Sequence, residues 1–161
     1  MSFIIKGRVW VFGNDISTDL MAPGVYQWSS WEDTKPHVLE VANPSFPKEV
    51  KEGDIIVSGR NFGCGSSREK APQNLMNLGI KCVIGESFGR IFFRNCIALG
   101  LPIITCPKVS SIFEQGDLAI IDIEKAEVIN YSKDLKLNPE PLPLQIINIL
   151  KEGGIIPLLK K

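Results

Sequence analysis

Residues 61–69 read N-F-G-C-G-S-S-R-E, and this stretch concentrates side chains able to bind an anion such as a carboxylate. Gly63 and Gly65 permit positive-φ backbone and close approach to a ligand. Ser66 followed by Glu69 fits the S-x-x-E capping box, which predicts a helix, or at least a helical turn, starting near Ser66. A helix N-terminus offers free amides and a partial positive charge, and so receives anions. Arg68 adds a planar fork that matches a carboxylate, with each charge-assisted hydrogen bond worth about 1.5–3 kcal/mol. A tight capped turn with a surface arginine would share part of this pattern. The whole set, placed directly after an apolar strand, favours an anion site. No G-K-[ST] follows the glycines, which excludes a P-loop, and the third glycine of a dinucleotide fingerprint is missing.

The elements around this loop set its position. D-I-I-V-S-G (54–59) is short and apolar, as in a strand buried on both faces of a parallel sheet. A helix then runs to Gly79, with Pro72 predicting a kink or a fresh start inside it. K-C-V-I-G (81–85) reads as a strand, 87–100 as a helix ended by Gly100, and L-P-I-I-T (101–105) as a strand. This alternation predicts right-handed crossovers and a parallel sheet, whose ligands sit off the carboxyl ends of its strands. The loop after residue 59 lies at such an end. Residues 3–12 read as a further strand and 13–19 as a polar turn. Residues 20–53 are broken by four prolines, with a short helix expected near 35–42. Residues 117–130 read as a hairpin and 143–154 as a C-terminal helix. The expected fold is α/β: one domain over 1–161 with a mostly parallel mixed sheet flanked by helices, plus that hairpin and helix.

Bulk properties narrow the function. The chain has 161 residues, of which 44% are hydrophobic and 22% charged, enough for one real core. Eighteen basic and eighteen acidic residues balance to zero net charge, which argues against a nucleic-acid partner. The apolar run 97–104 is too short to span a bilayer, and the N-terminus lacks the pattern of a signal peptide, so the expected compartment is the cytoplasm. Cys64, Cys82, Cys96 and Cys106 are too dispersed for a C-x-x-C site, and His37 is the single histidine. Cys82, Cys96 and Cys106 read as buried small hydrophobes. His37 reads as a surface loop residue. No metal site is expected within this chain.

The string G-R-N-F-G-C-G-S-S-R-E (59–69) resembles the signature of the aconitase-superfamily swivelling domain. N-D-I-S-T-D (14–19) resembles that family's N/D-x-T-D segment. V-I-G-E-S-F-G-R-I-F-F-R-N (83–95) is similar to the corresponding stretch of isopropylmalate dehydratase small subunits, and 98–104 and 150–160 also fit. The resemblance covers nearly the whole chain in order. It implies a subunit of a hydro-lyase that isomerises a 2-hydroxy di- or tricarboxylate by dehydration and rehydration, with isopropylmalate of leucine biosynthesis ranked first. Homoaconitate-type and methyl-substituted malates follow, and a non-catalytic dicarboxylate-binding module is the rival. It further implies that Ser66 is the base, that Ser67 and Arg68 bind a substrate carboxylate, and that Asp19 orients groups at the site edge. A [4Fe–4S] cluster would belong to a large partner subunit and supply the Lewis acid, leaving this chain inactive alone.

The segment after Asp19 departs from that family. It reads L-M-A-P-G-V-Y (20–26), with Val25 where an arginine is common. Losing that charge suits a substrate with an apolar group or one carboxylate fewer; packing against the partner is the other reading. Trp28 and Trp31 read as interface anchors, walls of an apolar pocket or ordinary packing. Lys70 stands where histidine commonly follows R-E. Cys64 is a candidate low-pKa thiol in the loop, although the family does not use it and a redox-sensor role is a rival. Arg60 is placed to face partner or substrate, while Arg90 and Arg94, one turn apart, read as structural or interface residues.

Overall fold

The first strand, β1 (Ile4–Phe12), pairs on both sides and divides the sheet into two halves. The computed structural model describes residues 3–161. After β1 come three single-turn helices, α1 (Thr18–Met21), α2 (Trp31–Thr34) and α3 (Phe46–Glu49). Then come β2 (Ile55–Ser58), α4 (Lys70–Asn77), β3 (Cys82–Gly85), α5 (Arg90–Leu99), β4 (Ile103–Thr105) and α6 (Val109–Ile112). The chain ends with β5 (Leu118–Asp122), β6 (Glu127–Asn130), β7 (Leu135–Leu137), α7 (Leu144–Lys151) and α8 (Ile155–Leu159).

The seven strands form one sheet in the order β4-β3-β2-β1-β5-β6-β7. On one side β1, β2, β3 and β4 run parallel, with Val9 opposite Ile55 and Phe12 opposite Ser58. On the other side β5, β6 and β7 are antiparallel, with Ile5 opposite Ile121. The parallel half answers the strand–helix alternation of the sequence. The antiparallel half grows by β7, which three residues of weak apolar pattern did not signal.

Strand periodicity splits the core in two. Trp10, Phe12, Ile56, Val83 and Ile103 face one way, under Phe62, Leu75, Phe92 and Leu150. Val9, Ile55, Val57, Ile84 and Ile104 face the other way, against Val109, Phe113, Ile121 and Ile147. Each large side chain buried in this way contributes about 1.5–3 kcal/mol. Asp54, almost wholly buried, fastens β1 to the turn before β2. Its Oδ2 accepts from Trp10 Nε1 at 2.9 Å, Lys51 N at 2.9 Å and Arg8 Nη2 at 3.2 Å.

Three local expectations shift. The helical signal near 35–42 resolves as α2 followed by a 3₁₀ turn over Lys35–His37, because Ser30 caps earlier by accepting from Asp33 N at 3.2 Å. The C-terminal helix stops at Lys151, and the positive-φ pair Gly153–Gly154 starts α8 in a new direction. Most consequential, no helix begins at Ser66. Helix α4 starts at Lys70, so Pro72 falls in its first turn, where a missing N–H is harmless and no kink is needed.

Candidate functional site

The parallel strands β1 and β2 end side by side, and the segments leaving them are stitched together. Gly63 N donates to Ile16 O at 2.7 Å, Thr18 N to Cys64 O at 2.9 Å and Asp15 N to Arg60 O at 2.8 Å. On the β3 side, Phe62 N donates to Ser87 O at 3.2 Å and Gly89 N to Phe62 O at 2.9 Å. The loop is therefore extended by one bridge on each flank rather than free. Gly63 is required here: its φ is +81°, and an added Cβ would lie 2.3 Å from the Phe92 ring. Gly65, at φ +102°, turns the chain outward so that Ser66 and Ser67 are exposed.

Arg68 draws the two segments into one polar cluster. Its Nε donates to Ser66 Oγ at 3.1 Å, its Nη1 to Ala22 O at 3.3 Å, and its Nη2 pairs with Asp19 Oδ1 at 3.2 Å. Asp19 Oδ1 also accepts from Gly24 N at 3.2 Å. Thr18 Oγ1 donates to Ser66 O at 2.9 Å and so fixes the serine's backbone. Of the five guanidinium N–H groups, these contacts engage three and leave two for an anion. The Arg68–Asp19 pair is partly solvated, so it orients the fork while adding at most about 1 kcal/mol to stability.

Helix α4 contributes less than the capping box implied. Its first amides lie beyond Arg68, whose carbonyl accepts from Ala71 N at 3.1 Å. The helix dipole fades within a turn, so the positive charge next to Ser66 is the guanidinium. Ser67 and Arg68 reach a cleft of about 380 Å³ between α4 and residues 22–34. Tyr26, Trp28 and Trp31 form one wall, and Lys70, Gln73 and Asn74 form another.

The structure thus brings together Ser66, Ser67, Arg68 and Asp19. Val25 is not among the residues lining the cleft; it is 84% exposed on a 3₁₀ turn, Gly24–Tyr26. Cys64 is half-buried and contributes its carbonyl to the bridge with the segment after β1. Arg60, Arg90 and Arg94 are exposed and have no acidic partner among the described residues. His37 is more than a surface residue: its ring stacks on Tyr26 at 4.2 Å, and its Nδ1 lies 2.7 Å from Glu40 Oε1. Thr18 and the Ala22 carbonyl were not singled out from sequence. The T-D pair was the available signal, since a threonine before Asp19 falls against the same loop.

The cysteines do not fit an iron–sulfur cluster. Cys96 packs in one core layer, Cys82 and Cys106 in the other, and Cys64 lies in the loop. Burial pushes the thiols of Cys82 and Cys96 well up and that of Cys106 to about 11, opposite to what thiolate ligation needs. Among the described residues no three His, Cys, Asp or Glu side chains converge to hold a metal ion, and no helix is long and apolar enough to cross a membrane.

Comparison with known proteins shows the family of the chain. The family described as aconitase C-terminal domain matches residues 14–108. The 3-isopropylmalate dehydratase small subunit 1 of Methanopyrus kandleri is 47% identical, covering 100% of this chain and 95% of its own length. The isopropylmalate/citramalate isomerase small subunit of Methanocaldococcus jannaschii is 48% identical, covering 100% and 96%. Among solved structures, a 3-isopropylmalate dehydratase from Methanocaldococcus jannaschii matches with a TM-score of 0.90 and 41% identity, covering 98% of this chain and 94% of that one. A relationship at this identity over the full length places the chain in the isopropylmalate dehydratase small-subunit family of the aconitase superfamily.

Proposed function

We propose that this chain is the small subunit of a two-component hydro-lyase that moves a hydroxyl group along a substituted malate, with isopropylmalate as substrate. The observation that carries the proposal is the Arg68 Nε contact with Ser66 Oγ at 3.1 Å. A proton α to a carboxylate is weakly acidic, so its removal needs a strong base and stabilisation of the charge that develops. A hydroxyl beside a guanidinium loses its proton more readily than a free serine. Having released its hydroxyl proton to solvent, Ser66 as the alkoxide then takes the α-proton and returns to the hydroxyl. The two uncommitted N–H groups of Arg68, with the Ser67 hydroxyl, receive the substrate carboxylate. Asp19 keeps the guanidinium turned toward them.

The substrate's alkyl group is assigned to the cleft wall of Tyr26, Trp28 and Trp31. Aromatic faces suit an isopropyl group. A methyl-substituted malate is the second reading, favoured by the relative whose name joins isopropylmalate and citramalate.

The relatives' names designate small subunits, which supports a large partner for this chain. A [4Fe–4S] cluster on that partner would supply the Lewis acid for the departing hydroxide. The test is anaerobic reconstitution with the large subunit encoded in the same genome, followed by assay of isopropylmalate isomerisation. Activity only in the mixture supports the reading. A mixture with native cluster spectra but no turnover of any alkylmalate refutes it.

A further inference from the structure

The cleft wall opposite α4 is held by few contacts. Residues 24–29 hydrogen-bond mostly among themselves and their neighbours: Tyr26 N to Pro23 O, Gln27 N to Gly24 O and Ser29 N to Tyr26 O. Among the described residues, two side-chain hydrogen bonds hold this stretch, one from five residues back and one from the start of α4. Asp19 Oδ1 accepts from Gly24 N at 3.2 Å, and Lys70 Nζ donates to Gln27 O at 2.5 Å. The stack of Tyr26 on His37 supports the same turn from behind. Lys70 is the first residue of α4, two positions after Arg68, and its side chain lines the cleft. One ammonium therefore spans the gap between the helix after the Ser66–Arg68 loop and the backbone between Tyr26 and Trp28.

We propose that Lys70 is a positioning residue for substrate selection, holding the Tyr26–Trp28 wall at the distance from Arg68 that fits a branched alkyl group. This rests on the reading that the cleft takes the substrate's alkyl substituent. The contact works by leverage. An exposed bond to a single carbonyl adds little to global stability. It nevertheless anchors a turn whose other side-chain hydrogen bond, Gly24 N to Asp19 Oδ1, reaches only five residues back along the chain. Without it the wall opens, and an isopropyl group loses its contacts, whereas a methyl group projects less far and loses fewer. Lysine suits this task because its three donors and flexible stem let it hold Gln27 O while the remaining N–H groups face water.

The experiment uses the reconstituted two-subunit enzyme. KM for isopropylmalate and the competitive inhibition constant for citramalate are measured for wild type, Lys70→Ala and Lys70→Arg. Lys70→Ala should raise KM for isopropylmalate about tenfold, the discrimination typical of a lost alkyl contact, with a smaller change in kcat. It should move the citramalate constant less than about twofold, again on the scale of a pocket contact that is not made. Lys70→Arg, which retains donors able to reach Gln27 O, should restore isopropylmalate binding. An unchanged KM in Lys70→Ala overturns the proposal. So does an equal change for both acids, which would mark Lys70 as a carboxylate ligand or a general structural residue, or a failure of arginine to rescue. If the wild-type complex does not act on isopropylmalate at all, the functional reading itself falls, and that outcome is visible before any variant is compared.

Discussion

Arg68 Nε points at Ser66 Oγ from 3.1 Å while the far edge of the same guanidinium rests on Asp19. Two segments separated by the whole first crossover are thereby locked into one charge arrangement. The serine gains a fixed cation, and the cation gains a fixed direction.

Replacing Arg68 by lysine separates charge from geometry. Lysine retains the positive charge but cannot bridge Ser66, Ala22 O and Asp19 in one plane. We expect kcat/KM to fall about 10²–10³-fold, the usual loss when one preorganised donor is removed. Thermal stability should change by less than about 1 kcal/mol, because the ion pair is partly solvated. Steady-state kinetics of the reconstituted enzyme, with a melting curve of the isolated subunit, check both parts.

Gly63→Ala acts on the fold beneath the site. The new methyl would sit 2.3 Å from Phe92 Cγ at a φ of +81°. Overpacking and left-handed strain together should cost about 2–5 kcal/mol, readable as a lower urea midpoint. A variant as stable as wild type would mean that the bridge between Phe62 and Phe88 does not hold the loop against α5.

Much of this arrangement is legible in the residues. The apolar string 54–59 located the loop at a strand's carboxyl end, and the glycine–serine–arginine run located the polar cluster around Arg68. Asp19 and Arg68 were both singled out, although nothing in sequence alone put them 3.2 Å apart. The capping box misled because tertiary contacts won. Ser66 O is occupied by Thr18 Oγ1 and Arg68 N, and Ser66 Oγ by Arg68 Nε, so the serine is unavailable to cap. The cleft was harder to read. Trp28 and Trp31 fit several roles until α4 is placed opposite them, and Lys70 stands out in sequence only as an unusual residue.

Stability should carry a thiol signature at high pH. Burial raises Cys106 from 9.0 to about 11 and raises Cys82 and Cys96 as well. The folded thiols therefore hold protons that the unfolded chain releases. Their contribution is constant below pH 9.0 and declines as pH rises from 9.0 toward about 11. Urea midpoints measured across this interval should fall, and Cys106→Ala should flatten part of the decline.

The proposed mechanism assigns proton abstraction to the hydroxyl of Ser66, and Ser66→Ala in the reconstituted complex probes that assignment directly. We expect kcat for isopropylmalate to drop about 10²–10⁴-fold, the range for loss of a general base, with KM changed little because Arg68 and Ser67 remain. A variant that turns over isopropylmalate at the wild-type rate, with the cluster intact, would contradict the assignment of Ser66 as the base.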